Sequence, residues 1–508
     1  MRVFTFNKPL TIGTVYSVAE GVVSVTIKND VKKRIGIRHK NIHTTTNKKI
    51  VYGINTGFGP MVHHYIAPPD QSTLQYNLIR SHACGVGPHL PPLFVRAIIL
   101  ARLNSLLQGY SGVSLDAVTG LENLLKSDVI PRIPQHGSVG ASGDLIQLAH
   151  IALCLIGEGD VVVRDTYKLT KSQLRKKNIL AISLHGRDGL ALINGTSAMT
   201  GIGAVVLAEA RLLLANSIKI TALLYEVFTV NSEHIHPTVA LARPHPGQTY
   251  IASELRLLLK TSKNVKAHSA KTLEGTADTT TQKSPQEIYS LRCVPQILGP
   301  IHDTITNAIS VIEIELNSAT DNPLFDQVEG PIHNGNFHGD YVSHEMDKVR
   351  IALTKTSMLL ERQLNLLVNP NVNHILPPYV NRNRPGLDLA LQAVQFIATS
   401  ITAENQTLAH PIVTHSIPTN NDNQDIVSMG CNSALLTDRV LQNTFRVQAT
   451  VALALIEAID IQKTIITPPL RAFYTELRSV VAPLLKDRPL TNDLEKIITV
   501  LKTKHFTR

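Results

Sequence analysis

The sequence predicts a mainly α fold: a long central helical bundle with a smaller N-terminal region. Three observations carry this. Residues 198–230 are apolar on nearly all sides, the mark of a helix buried all round. Long helical patterns recur at 294–316, 344–367, 387–408 and 433–466, well beyond the ordinary helix length of about 11 residues. Strand patterns are few. Long helices joined by polar loops make an elongated bundle.

The chain has 508 residues, 43% of them hydrophobic and 17% charged, which is a globular and not a disordered composition. Length is compatible with about three domains. The expected division is an N-terminal region over 1–195, the long-helix bundle over 196–466 and C-terminal helices over 467–508.

The formal charge is +10, partly from Lys32-Lys33-Arg34, Arg38-His39-Lys40 and Lys48-Lys49. No aromatic residues interleave with these runs and no nucleic-acid motif accompanies them. They read as a solvated face, not as nucleic-acid binding, and a positive site would also suit an anionic substrate. Cys84, Cys154, Cys293 and Cys431 are far apart with no Cys-x-x-Cys. That argues against a disulfide framework or zinc site and for a reducing compartment. The first residues lack the apolar run of a signal peptide. The longest uncharged window, 189–208, is strongly apolar only over 198–208, too short to span a bilayer. The expectation is a soluble, cytoplasmic protein with no membrane partner.

In chain order, residues 1–50 alternate short apolar and polar runs, a small hairpin or short helices. Residues 51–60 are a loop by composition. Residues 71–109 read as helical, with Pro91-Pro92 opening a second helix. Residues 260–285, rich in Lys, Thr and Ser, read as a surface loop or lid. Pro468-Pro469 is expected to end the last long helix.

The chemistry centres on His136-Gly-Ser-Val-Gly-Ala-Ser-Gly-Asp-Leu145. Local composition alone gives a glycine loop before a helix, with Ser142 and Asp144 as possible caps. A phosphate could sit at such a helix start, but the stretch has no Gly-x-Gly-x-x-Gly and no Lys-Ser/Thr ending. A third reading is covalent. In a tight bend, the Gly143 nitrogen attacks the Ala141 carbonyl carbon, water leaves as a five-membered ring closes, and dehydration of Ser142 leaves an exocyclic methylene. Gly143 suits the attack because it has no Cβ in the way.

The stretch resembles the signature of the histidine, phenylalanine and tyrosine ammonia-lyase family, whose members build a methylidene-imidazolone from Ala-Ser-Gly. Gln147 departs from it, standing where many members have proline. Further ordered blocks extend the resemblance over about residues 50–465, with wording closest to bacterial tyrosine ammonia-lyases. It implies an aspartase/fumarase-like helical bundle and a homotetramer with active sites built from more than one subunit. It also implies an electrophile formed from Ala141, Ser142 and Gly143, with no external cofactor and no metal.

By this resemblance, Tyr52 in Tyr52-Gly-Ile-Asn-Thr-Gly-Phe-Gly59 is the base. A free tyrosine titrates near 10, so it needs positive charge or hydrogen-bond donors to act near neutrality. On residues alone it reads as a packed ring beside a turn. His82 in Asn77-Leu-Ile-Arg-Ser-His82 resembles the position facing the substrate ring, otherwise a polar core residue. Ser-His there goes with histidine- or tyrosine-acting members, and apolar residues with phenylalanine-selecting ones. Asn194 in Leu192-Ile-Asn-Gly-Thr196 reads as a plain N-cap or, by resemblance, as a neighbour of the cyclised group. In Gln286-Glu-Ile-Tyr289-Ser-Leu-Arg292, spacings of three place Gln286, Tyr289 and Arg292 on one helical face. Arg292 is expected to clamp the substrate carboxylate. Phe337 in Gly335-Asn-Phe-His-Gly339 is a core ring or a substrate contact. Histidine-specific members tend to carry glutamate where this chain has Gln424.

His82 with Gln424 points to an L-tyrosine ammonia-lyase, a carbon-nitrogen lyase giving trans-4-coumarate and ammonia. A histidine ammonia-lyase giving urocanate, an aminomutase with the same electrophile, and an inactive helical scaffold are the other readings.

Overall fold

The computed structural model describes residues 2–46, 49–164, 166–266 and 286–503, without the side chains of 43–46. From residue 267 onward, the expected lid lies outside the described residues.

The fold is mainly helical. The long patterns appear as helices Ser197–Phe228, Val294–Leu316, Asp340–Val368, Gln392–Leu408 and Gly430–Gln462. Ser197–Phe228 is long and apolar enough to cross a membrane, but 83% of its most apolar window is buried inside the fold. Its length exceeds the 198–208 window because Glu209, Arg211, Lys219 and Glu226 interrupt the composition without interrupting the helix.

The chain forms two compact units. The first comprises Met1–Ala208, Asn307–Asp347 and Pro411–Thr437, and the second Glu209–Thr306, Lys348–His410 and Asp438–Arg508. Boundaries at 208/209, 306/307, 347/348 and 437/438 fall inside long helices. These units divide the molecule through space, whereas the three expected segments divide it along the chain.

Three local expectations change. The N-terminus is neither a hairpin nor helices alone: strands Arg2–Thr5 and Val23–Thr26 pair in parallel, with helix Ile12–Ala19 between them. A parallel pair needs such a crossover. The last long helix ends at Gln462, where Lys463 turns left-handed (φ 53°), before the proline pair is reached. Pro468 instead opens helix Pro468–Val480, where its missing N–H costs nothing.

In the first unit, helix Pro92–Leu107 is buried almost throughout, including the guanidinium of Arg102. Burial lowers the Arg102 pKa to about 10. The start of Ser197–Phe228 packs closely on this helix: at Gly201, a Cβ would collide with the backbone of Ala97 and Ile98.

Candidate active site

Ala141-Ser142-Gly143 forms a tight loop between strand Pro134–His136 and helix Leu145–Leu155. Gly140 and Gly143 have φ of 70° and 73°, the left-handed region that glycine occupies freely. Gly143 lies against Gly195 as a parallel bridge, and a Cβ on Gly143 would collide with the Gly195 backbone. So Gly143 is required by packing. The loop is pinned from outside: Ser428 Oγ donates to the Gly140 carbonyl at 3.0 Å, and the Met429 N–H to the Val139 carbonyl at 2.9 Å.

Asp144 stands at the N-cap position of helix Leu145–Leu155, yet its side chain caps no N–H there. Its carboxylate instead accepts the Met199 N–H at 2.8 Å and the Ser138 hydroxyl at 2.8 Å. It therefore caps the start of Ser197–Phe228, where the exposed backbone donors favour an anion. Burial raises its pKa to about 6, against these hydrogen bonds, which lower it. Ser142 caps no helix either.

Asn194 is not an N-cap. It follows helix Asp188–Ile193, and its side chain joins two distant loops. Its Nδ2 donates to the Ser142 carbonyl at 3.1 Å, and its Oδ1 accepts the Asn322 N–H at 2.9 Å. The Gly195 N–H also reaches the Ser142 carbonyl, at 3.4 Å. Gln424 donates from Nε2 to Ser142 Oγ at 2.8 Å and accepts from Thr419 Oγ1 at 2.9 Å. It is thus in direct contact with the serine.

Tyr52 is half-buried, its ring edge-on to Phe58 at 5.9 Å, and its hydroxyl accepts the Gly59 N–H at 3.2 Å. The expected depression of its pKa is not found. Burial raises it, and the Gly59 N–H and the Arg187 charge, which lower it, do not prevail.

His82 ends helix Gln71–His82, with Nδ1 2.9 Å from the Leu78 carbonyl and 3.1 Å from Ser81 Oγ. Phe337 is half-buried in the turn before helix Asp340–Val368. Its neighbours Asn336 and His338 line a cavity of about 500 Å³ beside Glu315. Burial raises the Glu315 pKa, and the Thr196 hydroxyl donates to it.

Tyr52, His82, Ala141, Ser142, Gly143, Asn194, Phe337 and Gln424 all belong to the first unit; Gln286, Tyr289 and Arg292 belong to the second. The latter three do not share a helical face. Only Tyr289–Arg292 is helical, and Gln286 lies in a bend before it. Arg292 Nη1 still donates to Gln286 Oε1, and its guanidinium lies 4.9 Å from the Tyr289 ring centre. The block's backbone is held by Tyr225 Oη on the Leu291 carbonyl (2.7 Å) and Gln363 Nε2 on the Ser290 carbonyl (3.1 Å).

Sequence reasoning missed Ser138, Arg187, Asp321, Thr419 and Ser428. Nothing in the spacing of Asp321 and Arg187, 134 positions apart, ties the two together.

The pattern of the aromatic amino acid lyase family matches residues 10–479. The chain belongs to the aromatic amino acid lyase family. Its chemistry is that of a carbon-nitrogen lyase. A tyrosine ammonia-lyase of Cupriavidus metallidurans is 37% identical over 507 residues, covering 97% of this chain and 95% of that protein. An MIO-dependent tyrosine 2,3-aminomutase of Streptomyces globisporus is 39% identical, covering 90% and 87%. The crystal structure of histidine ammonia-lyase from Trypanosoma cruzi superposes with a TM-score of 0.89 at 31% identity, covering 99% of this chain and 93% of that one. The family and the helical fold expected from the sequence are confirmed, and lyases and aminomutases match comparably.

Proposed function

We propose that this enzyme removes ammonia from L-tyrosine to give trans-4-coumarate, using a methylidene-imidazolone formed from Ala141, Ser142 and Gly143. The loop suits such a group. It is already bent, Gly143 has no Cβ, and two N–H donors converge on the Ser142 carbonyl oxygen. Once formed, the group supplies an electrophile that makes the substrate amine a better leaving group.

The protein's own residues do the rest. Asn194 and the Gly195 N–H hold the Ser142 carbonyl oxygen where negative charge would gather. Tyr52 takes the β-proton at Oη. Because burial holds its hydroxyl above the usual phenol range, it needs added positive charge, which the substrate ammonium brings. Arg292 binds the carboxylate through two parallel N–H donors, Gln286 and Tyr289 position the reacting groups, and Phe337 packs on the ring.

The observation that carries tyrosine over histidine is Gln424, a neutral amide seated 2.8 Å from Ser142 Oγ, with His82 as the partner of the substrate ring. A carbonyl only accepts, so in the neutral ring of His82 the Leu78 carbonyl assigns the proton to Nδ1 and leaves Nε2 an acceptor. A phenol O–H donates to such an acceptor, as an imidazole N–H also does. Gln424 withholds the carboxylate that would pair with a substrate imidazole. Tyr289 is 69% exposed, Tyr341 74% and Phe396 63%, which supports a homotetramer whose active sites draw on more than one copy.

Incubation with L-tyrosine and L-histidine tests this directly. The ultraviolet band of coumarate is expected, and urocanate without coumarate would overturn the reading. The second reading, a tyrosine 2,3-aminomutase, is favoured by the Streptomyces relative and would be revealed by β-tyrosine.

A further inference from the structure

The ion pair of Arg187 and Asp321 is buried, at 1% and 0% side-chain exposure, with its partners 134 residues apart in sequence. Arg187 Nη1 reaches Asp321 Oδ2 at 2.7 Å, and Nη2 reaches Oδ1 at 3.0 Å. The same fork donates to the Ser111 carbonyl at 2.5 Å and the Asn322 carbonyl at 3.0 Å. Asp321 Oδ1 accepts the Asn322 N–H at 2.7 Å. The ion pair therefore grips residue Asn322 at both its backbone groups, its carbonyl through Arg187 and its N–H through Asp321.

The Asn322 N–H has one other acceptor, Asn194 Oδ1, at 2.9 Å. An N–H only donates, so this contact fixes which way the Asn194 amide faces: oxygen toward Asn322, NH2 toward the Ser142 carbonyl at 3.1 Å. Both partners are backbone groups, so the opposite orientation would set two donors and two acceptors against each other.

We infer that Arg187 and Asp321 are positioning residues for the reaction, acting through the Asn322 backbone to aim the Asn194 amide at Ser142. The inference rests on the proposed role of the Ser142 loop. An ion pair suits the task because a guanidinium fork holds a carboxylate and two carbonyls in one plane, which an ammonium cannot do. Isolation from water makes each bond directional and strong. The geometry of the fork, not its charge alone, is what aims Asn194.

The test is a double-mutant cycle on the full-length enzyme, with Arg187→Lys and Asp321→Asn each made alone and with Asn194→Ala. Intact mass, kcat and KM for L-tyrosine, and thermal melting are read for every protein. Arg187→Lys keeps the charge and loses the fork. It is expected to lower kcat about tenfold with KM nearly unchanged, and to leave part of the chains without the loss of two waters. In the Asn194→Ala background, the same change should cost less than about twofold. Equal losses in both backgrounds would overturn the inference, as would wild-type kcat in both Arg187→Lys and Asp321→Asn. A merely structural pair would lower the melting temperature and act additively. A wild-type chain that never loses two waters would instead sink the reading of the Ser142 loop, which the mass measurement reports separately.

Discussion

Gly143 and Gly195 run side by side as a parallel bridge, and neither has room for a Cβ. At Gly143 it would meet the Gly195 backbone, and at Gly195 the Thr320 carbonyl and the Arg102 guanidinium. Gly195 also has φ of 136°. The loop is therefore held from behind by a contact only two glycines permit. Gly195→Ala is expected to destabilise the protein by roughly 2–4 kcal/mol through overpacking and backbone strain. It should also displace the Ser142 carbonyl from its donors, so that intact mass shows chains that keep both waters. Full processing with an unchanged urea midpoint would contradict this packing account.

The buried Asp144 gives a pH dependence of stability with a definite sign. Its pKa in the fold is about 6, above the ordinary 3.8. Between these values the folded chain holds a proton that the unfolded chain has released, so this group's contribution falls as pH rises. It is fully present below about 3.8 and lost once pH passes about 6, a change on the order of 3 kcal/mol. Asp144→Asn keeps an acceptor for the Met199 N–H and removes the titration. Denaturant midpoints between pH 4 and 6.5 should fall less steeply in Asp144→Asn than in wild type, and parallel profiles would count against this assignment. Asp438, also raised to about 6 by burial, contributes a slope of the same sign in both proteins.

Arg292→Lys tests the carboxylate clamp. A lysine keeps the charge and gives up the paired donors. KM for L-tyrosine is expected to rise about tenfold, near 1.4 kcal/mol, with a smaller change in kcat and normal loss of two waters. A fall in kcat with KM unchanged would place Arg292 on the reacting groups and not on the carboxylate.

Much of the fold was legible because long apolar periodicity maps directly onto long helices, as at Ser197–Phe228 and Val294–Leu316. Helix ends were less legible. Gln462 stops at a left-handed Lys463, a conformation that lysine's identity does not announce. In the site, contiguous blocks such as 137–145 could be read, because neighbours in sequence are neighbours in the loop. Asp144 shows the limit: local spacing made it a cap of its own helix, while tertiary structure gives its carboxylate to Met199. Arg187 with Asp321, and Gln424 with Ser142, join residues more than 100 positions apart, and no spacing rule reaches that far. The raised pKa of Tyr52 was hidden for the same reason, since burial is a property of the assembled unit.

His82 offers the sharpest test of substrate choice. Its Nδ1 is engaged by the Leu78 carbonyl, which in a neutral ring leaves Nε2 the acceptor that the proposed reading gives to the phenol O–H. His82→Leu removes that acceptor and leaves an apolar surface that suits an unsubstituted ring. Burying a tyrosine hydroxyl without a partner is costly, whereas phenylalanine has none to satisfy. The ratio of kcat/KM for L-tyrosine over L-phenylalanine is therefore expected to fall about tenfold to a hundredfold, read from coumarate against cinnamate. Gln424→Glu should act differently. It lowers turnover of tyrosine by setting a carboxylate near the phenol oxygen, and adds any urocanate formation that a charged partner for imidazole allows. If His82→Leu leaves the ratio untouched, the ring is recognised elsewhere and His82 is only the last residue of its helix.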